Sequence, residues 1–328
     1  MGVLKSISDA GEKGQSLSET ANAAGISVYA AEVLTSVALS MNILKLLPVN
    51  VNEEEKFVLG KIGWFLLEDE MTRVNFNFVN DVCYKGAFEL GASLKAGKPL
   101  GLEVFGTGRK TIYEALSSLP EQVKKSWFDF DHFYSDIGFE EALPIVFAHK
   151  PKKIIDIGGN TAKWAVACCR YDPAVELAIV DLPGQTAVAE KNAALAGFSG
   201  RIKTLPCNVL EEKQAFPPDA DIIWMSQFLD CFSLEEVRRI MEKVRAAAGP
   251  ATNVYVLEPF WDKQRFEAAE FSLLAASLYF SCMANGNSKM YRYAELNAVI
   301  ESAGFELAAA HHNLGSNDYS LLHYRSKP

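Results

Sequence analysis

From Pro151 onward, short apolar runs alternate with longer stretches patterned at helical spacing: KKIIDIG, VELAIVDL, RIKTLPC, ADIIWMS, TNVYVLE, and finally FELAAAHH and YSLLHYR. Apolar runs separated by helices of about ten residues or more predict an α/β fold with a mostly parallel, seven-stranded sheet and right-handed crossovers. Ligands then bind at the C-terminal ends of the strands. Residues 1 to about 100 are patterned differently. In SLSETANAAGISVYAAEVLTSVALSMNILKLLPVN, Ser18 is placed to cap a short helix, Gly25 makes a turn, and an apolar helix runs on to Leu47. This is a helix-turn-helix pattern with a wing-like tail. Between the two regions, YEALSSLPEQVKKSWFDFDHFYSDIGFEEALPIVF predicts an aromatic-rich linking helix. The expected organisation is therefore a helical unit over 1–100, linking helices lining a cleft over 101–150, and a sheet domain over 151–328.

Composition narrows the class of function. The chain has 328 residues, 49% hydrophobic and 22% charged, which suits a folded globular protein with one large and one smaller domain. Lys and Arg number 32 against 41 Asp and Glu, a net charge of −9, and no basic run is present to attract nucleic acid or an anionic membrane. The helix from Ser27 to Asn42 contains no Lys or Arg, so the helix-turn-helix lacks the footprint of DNA binding. Its apolar face, Val33, Leu34, Val37, Leu39 and Met41, is expected to be buried against another chain or domain. A small molecule is the expected partner. Six cysteines without a Cys-x-x-Cys pair point away from a disulfide framework or a metal site. With no signal-like leader and no apolar run of about 18 residues, a cytoplasmic location and no membrane partner are expected.

The chemistry sits at the strand ends. The first sheet strand closes as Asp156, Ile157, Gly158, Gly159, Asn160, Thr161, Ala162, with an acid ahead of the glycines. A carboxylate there would repel a pyrophosphate but suits an ammonium and a sulfonium, which favours S-adenosyl-L-methionine over a nicotinamide dinucleotide. Asp181 ends the second strand, where it can accept both ribose hydroxyls, and Leu182 follows it. Asn208 and Val209 after the third strand are placed to read an adenine amino group and pack on its ring. The competing reading for Asp156 and Asp181 is capping of the following helices.

With these features the chain resembles the class I methyltransferases, and within them the small-molecule O-methyltransferase family of plant caffeate and bacterial polyketide enzymes. The resemblance covers nearly the whole chain. It rests on IIDIGGNTA in place of Val-Asp-Val-Gly-Gly-Gly-x-Gly, on VDLPG, on Glu258 in YVLEPF, and on ELNAVIESAGF. It implies a Rossmann-like methyltransferase domain preceded by a helical, winged-helix-like dimerisation domain, S-adenosyl-L-methionine as cofactor, and a homodimer joined through the N-terminal unit. The implied reaction is methyl transfer to a hydroxyl of a small aromatic acceptor. C-methylation, another reaction on the same scaffold, and a non-catalytic cofactor-binding dimer are the alternatives.

One departure stands out. After the fourth strand the family carries Leu-His-Asp-Trp-Ser-Asp-Glu, with His as general base and Trp stacked on adenine. Counted without gaps, Asp230 stands at the His, Cys231 at the Asp and Phe232 at the Trp, preceded by Ser226 and Gln227 on the cofactor side. A second family acid falls on Met290, so only Glu258 keeps its acidic type. The resemblance therefore implies Asp230 and Glu258 as the catalytic pair, with burial raising the pKa of one of them. His132 is the alternative base, and helix capping the competing reading for Asp230. Cys231 reads as a packing thiol. The apolar stripe Phe266, Phe271, Leu274, Leu278, Tyr279, Met283 is expected mostly in the core. The loop after it, with Met283, Asn287 and Met290, is the expected acceptor contact.

Overall fold

The computed structural model describes residues 2–48, 54–211 and 215–328, and the chain divides into compact units at Met1–Val79 and Asn80–Pro328. The division falls ahead of the boundary expected near residue 100, so the aromatic helices belong to the sheet unit.

In the N-terminal unit, Leu17–Ala24 and Val28–Ser40 form the helix-turn-helix, their axes 110° apart. The cap of the first is Ser16 and not Ser18: Ser16 is extended at φ −73, ψ 170, its Oγ accepts from Glu19 N, and its own N–H donates to Glu19 Oε2 at 2.8 Å. Gly25 ends that helix at φ 64, and Ser27 caps the next through Ala30 N. The wing-like tail is a two-stranded antiparallel ribbon, β1 (Leu44–Leu46) with β2 (Phe57–Leu59); residues 49–53 of the expected tail lie outside the described residues. Ile7, Leu44 and Phe57 form this unit's core. On the second helix, however, Val33 and Val37 are 45% and 53% exposed and Met41 at its C-terminal end 56%, whereas Leu39 packs against the unit's core. Among the described residues no single helix is long and apolar enough to cross a membrane.

The C-terminal unit is built on seven strands: β3 (Lys153–Ile157), β4 (Glu176–Asp181), β5 (Ile202–Pro206), β6 (Ile222–Ser226), β7 (Asn253–Glu258), β8 (Phe305–Leu314) and β9 (Tyr319–Ser326). Their order is β5-β4-β3-β6-β7-β9-β8, parallel from β5 to β7, with β9 antiparallel to both neighbours. The central strands read as unbroken apolar runs because both faces are covered. Trp224 and Met225, successive on β6, point into different cores: Trp224 stacks on Trp164 at 3.8 Å, and Met225 joins Val237, Met241 and Val244 of helix Leu234–Ala247. Strand order reverses between β3 and β6, which opens a crevice beyond their C-terminal ends.

One expectation for the core is overturned. Helix Glu267–Tyr279 has no buried residue, and Phe266, Phe271, Leu274 and Leu278 stand 66%, 71%, 41% and 51% exposed. Helical spacing defines an apolar stripe without saying whether this chain covers it. Burial resumes only in the π-helical turn Phe280–Ala284.

Candidate active site

The glycine turn after β3 is a left-handed corner. Gly158, Asn160 and Ala162 have φ of 78, 46 and 69, and Asn160 takes a left-handed conformation that asparagine tolerates better than most residues. Two of the glycines are also required by contact. A Cβ on Gly158 would lie 2.2 Å from the Phe228 ring, and one on Gly159 would lie 2.6 Å from Asp156 Oδ2. The turn thus nests between an acid beneath it and an aromatic ring from β6's loop above it.

Asp156 is 2% exposed, and its Oδ2 has no hydrogen-bond partner. Burial, with Asp181 nearby, pushes its pKa up to about 8. Asp181 accepts from Asn160 N at 2.8 Å and from Leu182 N at 2.7 Å, so it does secure the backbone, as the capping reading held. Burial still outweighs those N–H groups and raises it to about 6. Each oxygen keeps a lone pair for a hydroxyl. Asn208 Oδ1 accepts from Leu210 N at 3.1 Å, an Asx turn that leaves its amide NH₂ to face a ligand, and Val209 is buried beside it.

Sequence reasoning missed the reach of helix Glu121–Ser135 onto this turn. Asn160 Nδ2 donates to Asp131 Oδ2 at 3.0 Å, and His132 Nε2 pairs with Thr161 Oγ1 at 2.9 Å. Burial and its acidic neighbours, Asp136 first, raise Asp131 to about 7, whereas burial and Lys163 lower His132. His132 is therefore a fastener of the cofactor turn. Its described partners are Thr161 and the ring of Phe128.

That loop follows β6. Ser226 Oγ and Gln227 Nε2 are buried without partners, Gln227 stands at φ 46, and its Oε1 accepts from Tyr319 OH at 2.7 Å. Glu258 Oε1, at the end of β7, accepts from Phe228 N at 2.9 Å and Leu229 N at 2.8 Å, which folds the short turn Leu229–Cys231, while its Oε2 has no partner. Asp230 is 7% exposed and accepts from the Cys231 thiol at 3.4 Å and from the backbone N–H groups of its own turn, Asp230 and Cys231. It does not cap the next helix; Ser233 does, in a capping box with Glu236. Burial raises Asp230 to about 6 and, together with the Asp230 charge, raises Glu258 well above the usual range. Cys231 is pushed up by burial and Asp230, as a packing thiol would be. Phe232 meets Phe228 edge to face at 4.9 Å, and it is Phe228 that covers the turn.

Beside the Asp230 loop stand Tyr113 and Trp127, which the sequence did not single out, and Tyr279 of the apolar stripe. Tyr113 faces Cys231, Tyr279 and Asp230, and Trp127 Nε1 donates to Tyr279 OH at 2.8 Å. Of the expected contacts, Met283 is 1% exposed and packs into a notch made by Gly86 and Gly101, and Asn287 is exposed and donates to Glu236 Oε2. Met290 is half-buried, with its N–H on Ser277 Oγ. Asn285 is the loop residue that reaches the site, donating to Cys231 O at 2.5 Å, because the bend at Gly286 turns Asn287 outward.

Three buried acids, Asp156, Asp230 and Glu258, and two half-buried ones, Asp131 and Asp181, stand near one another at the strand ends, and none belongs to an ion pair among the described residues. A cation with hydroxyls fits this set: it would take the unpartnered Asp156 Oδ2 and the free lone pairs of Asp181. That donor set suits S-adenosyl-L-methionine and opposes a pyrophosphate. Among the described residues no cluster of His, Cys, Asp and Glu has the form of a metal site.

Residues 89–306 match the O-methyltransferase domain family. An L-tyrosine C(3)-methyltransferase from Streptomyces lavendulae is 24% identical over 231 residues, 70% of this chain and 61% of its own length. A 3-hydroxy-5-methyl-1-naphthoate 3-O-methyltransferase from Streptomyces sahachiroi is 24% identical over 127 residues, 39% of this chain and 36% of its own. The chain thus spans from about a third to three fifths of these curated relatives. The crystal structure of an O-methyltransferase from neocarzinostatin biosynthesis, with S-adenosylmethionine and 2-hydroxy-5-methyl naphthoic acid, matches with TM-score 0.75 at 18% identity, over 99% of this chain and 92% of that one. At that identity the likeness is one of fold.

Proposed function

The chain belongs to the O-methyltransferase domain family, and from that premise we propose that it is an S-adenosyl-L-methionine-dependent methyltransferase acting on a hydroxyl of a small aromatic acceptor. The observation that carries this reading is the glycine turn set on a buried, unpartnered carboxyl, Asp156, near other acids that have no ion-pair partner among the described residues. The cofactor would supply a methyl group activated on a sulfonium. Asp156 and Asp131 favour its positive groups, Asp181 its ribose hydroxyls, and Asn208, Val209 and Phe232 its adenine. Leu182, Asn160 and Gly159 shape the backbone they share.

Transfer requires the acceptor oxygen held in line with the methyl at about 3 Å, and positioning is the larger part of the work. The base is Asp230. Its carboxylate takes the proton of the acceptor hydroxyl as the oxygen gains the methyl, while Glu258, held at the higher pKa, keeps its proton and shapes the turn. A base of this kind contributes roughly 10²- to 10⁴-fold. A second reading, transfer to a ring carbon, is favoured by the likeness to an L-tyrosine C(3)-methyltransferase. It uses the same deprotonated ring.

The N-terminal unit is proposed to join two copies of the chain, supported by the exposed, uncharged face of Val33, Val37 and Met41. Six free cysteines support a reducing, cytoplasmic location. Calorimetry with S-adenosylmethionine against NAD tests the cofactor, and binding of NAD alone would remove the proposal. Turnover on a panel of catechols, read by mass spectrometry for the position of the added methyl, separates oxygen from carbon. Light scattering gives the oligomeric state.

A further inference from the structure

We propose that the acceptor carries no carboxylate and that a basic amine on it is favoured, because the acids and aromatic rings around Asp230 are joined by no cationic partner among the described residues. This deepens the reading above and rests on it. Asp230 is 7% exposed and Glu258 1% exposed, and neither forms an ion pair among the described residues. The hydrogen bonds to the Asp230 side chain come from its own loop, the backbone N–H groups of Asp230 and Cys231 and the Cys231 thiol, a weak donor, and none comes from a cationic side chain among the described residues. Glu258 Oε2 is buried without a partner, so the acids are not satisfied among themselves.

The surrounding surface is aromatic. Tyr113 faces Asp230, Cys231 and Tyr279, and Trp127 braces Tyr279 through its indole N–H. Recognition of an aromatic acid calls for an arginine fork or a lysine at the anion. Among the described residues none pairs with these acids, and an anion would face the Asp230 carboxylate where water cannot screen it. An ammonium meets the opposite situation: open carboxyl oxygens and the faces of electron-rich rings. The charge of the side group, then, is the property on which this cleft discriminates.

The test uses three catechols that differ in that group: dopamine, 4-methylcatechol and 3,4-dihydroxyphenylacetate. Each is titrated calorimetrically into the full chain, with and without S-adenosylhomocysteine, and then assayed for turnover. Dopamine is expected to bind a few-fold tighter than 4-methylcatechol and at least about tenfold tighter than the acid. Asp230→Asn is expected to cut the dopamine preference about fivefold while 4-methylcatechol binding holds. Binding of the acid as tight as that of 4-methylcatechol overturns the proposal, and so does failure of all three to bind. S-adenosylhomocysteine is titrated first. Its failure to bind counts against the methyltransferase reading, whereas its normal binding with the acid favoured counts against this inference alone.

Discussion

The two halves of the cleft solve one problem, holding carboxyls where water is scarce, by different means. At the ends of β3 and β4 the work is done by backbone: a left-handed turn whose N–H groups tie Asp181, and whose glycines leave room for Asp156 and Phe228. At the ends of β6 and β7 it is done by side chains brought from distant parts of the chain, with Glu258 folding the turn that presents Asp230 beneath Tyr113 and Tyr279. The first arrangement tolerates no added atom. The second draws the groups around Asp230 from separate parts of the chain, so no single turn fixes them.

The strongest break is expected at Gly158. Gly158→Ala puts a Cβ 2.2 Å from the Phe228 ring at φ 78, and should weaken S-adenosylhomocysteine binding by about 100-fold in calorimetry and lower the melting temperature. Next is Asp156→Asn, with cofactor affinity down by about 30-fold. The same change should make the free protein more stable by about 2 kcal/mol at pH 8. The sign follows from the raised pKa. A carboxyl that keeps its proton to about pH 8 when folded, against 3.8 ordinarily, contributes stability that is full below about pH 4 and lost as pH rises towards 8. Melts from pH 5 to pH 8 should therefore fall in the free parent protein and fall less steeply in the variant, in which Asp131, Asp181 and Asp230 still titrate.

On the other side of the comparison, Asp230→Asn should lower turnover at least about tenfold with cofactor affinity nearly unchanged. Unchanged turnover would remove Asp230 as the base. The smallest effect is expected from Phe232→Leu, a loss of about threefold in cofactor affinity, since Phe228 keeps the glycine turn covered. A larger loss there than at Asp156 would reverse the contrast between the halves.

The cofactor half was legible because its residues are contiguous. Asp156, Gly158, Gly159 and Asn160 form one turn, and a turn's backbone conformation is written in its own residue types. The acceptor half was legible only where the family motif gave a register, at Asp230 and Glu258. Tyr113, Asp131 and Tyr279 carry no local mark of function, and Asn285 was missed in favour of Asn287 because the bend at Gly286 decides which amide turns inward. The stripe from Phe266 to Leu278 shows the same limit: spacing gave an apolar face, and the fold left it exposed.

The alternation of apolar runs and helical segments was enough to specify a mostly parallel sheet, its seven strands and the strand ends at which a ligand binds, because burial on both faces leaves a local signature. Charge and the acid ahead of the glycines determined the kind of ligand. Tertiary structure alone decided that His132 fastens the glycine turn, that Ser233 and not Asp230 caps the following helix, and that Asp131, Asp156, Asp181, Asp230 and Glu258 stand near one another without an ion-pair partner among the described residues. These depend on which distant segments exclude water from one another, and no spacing along the chain records that.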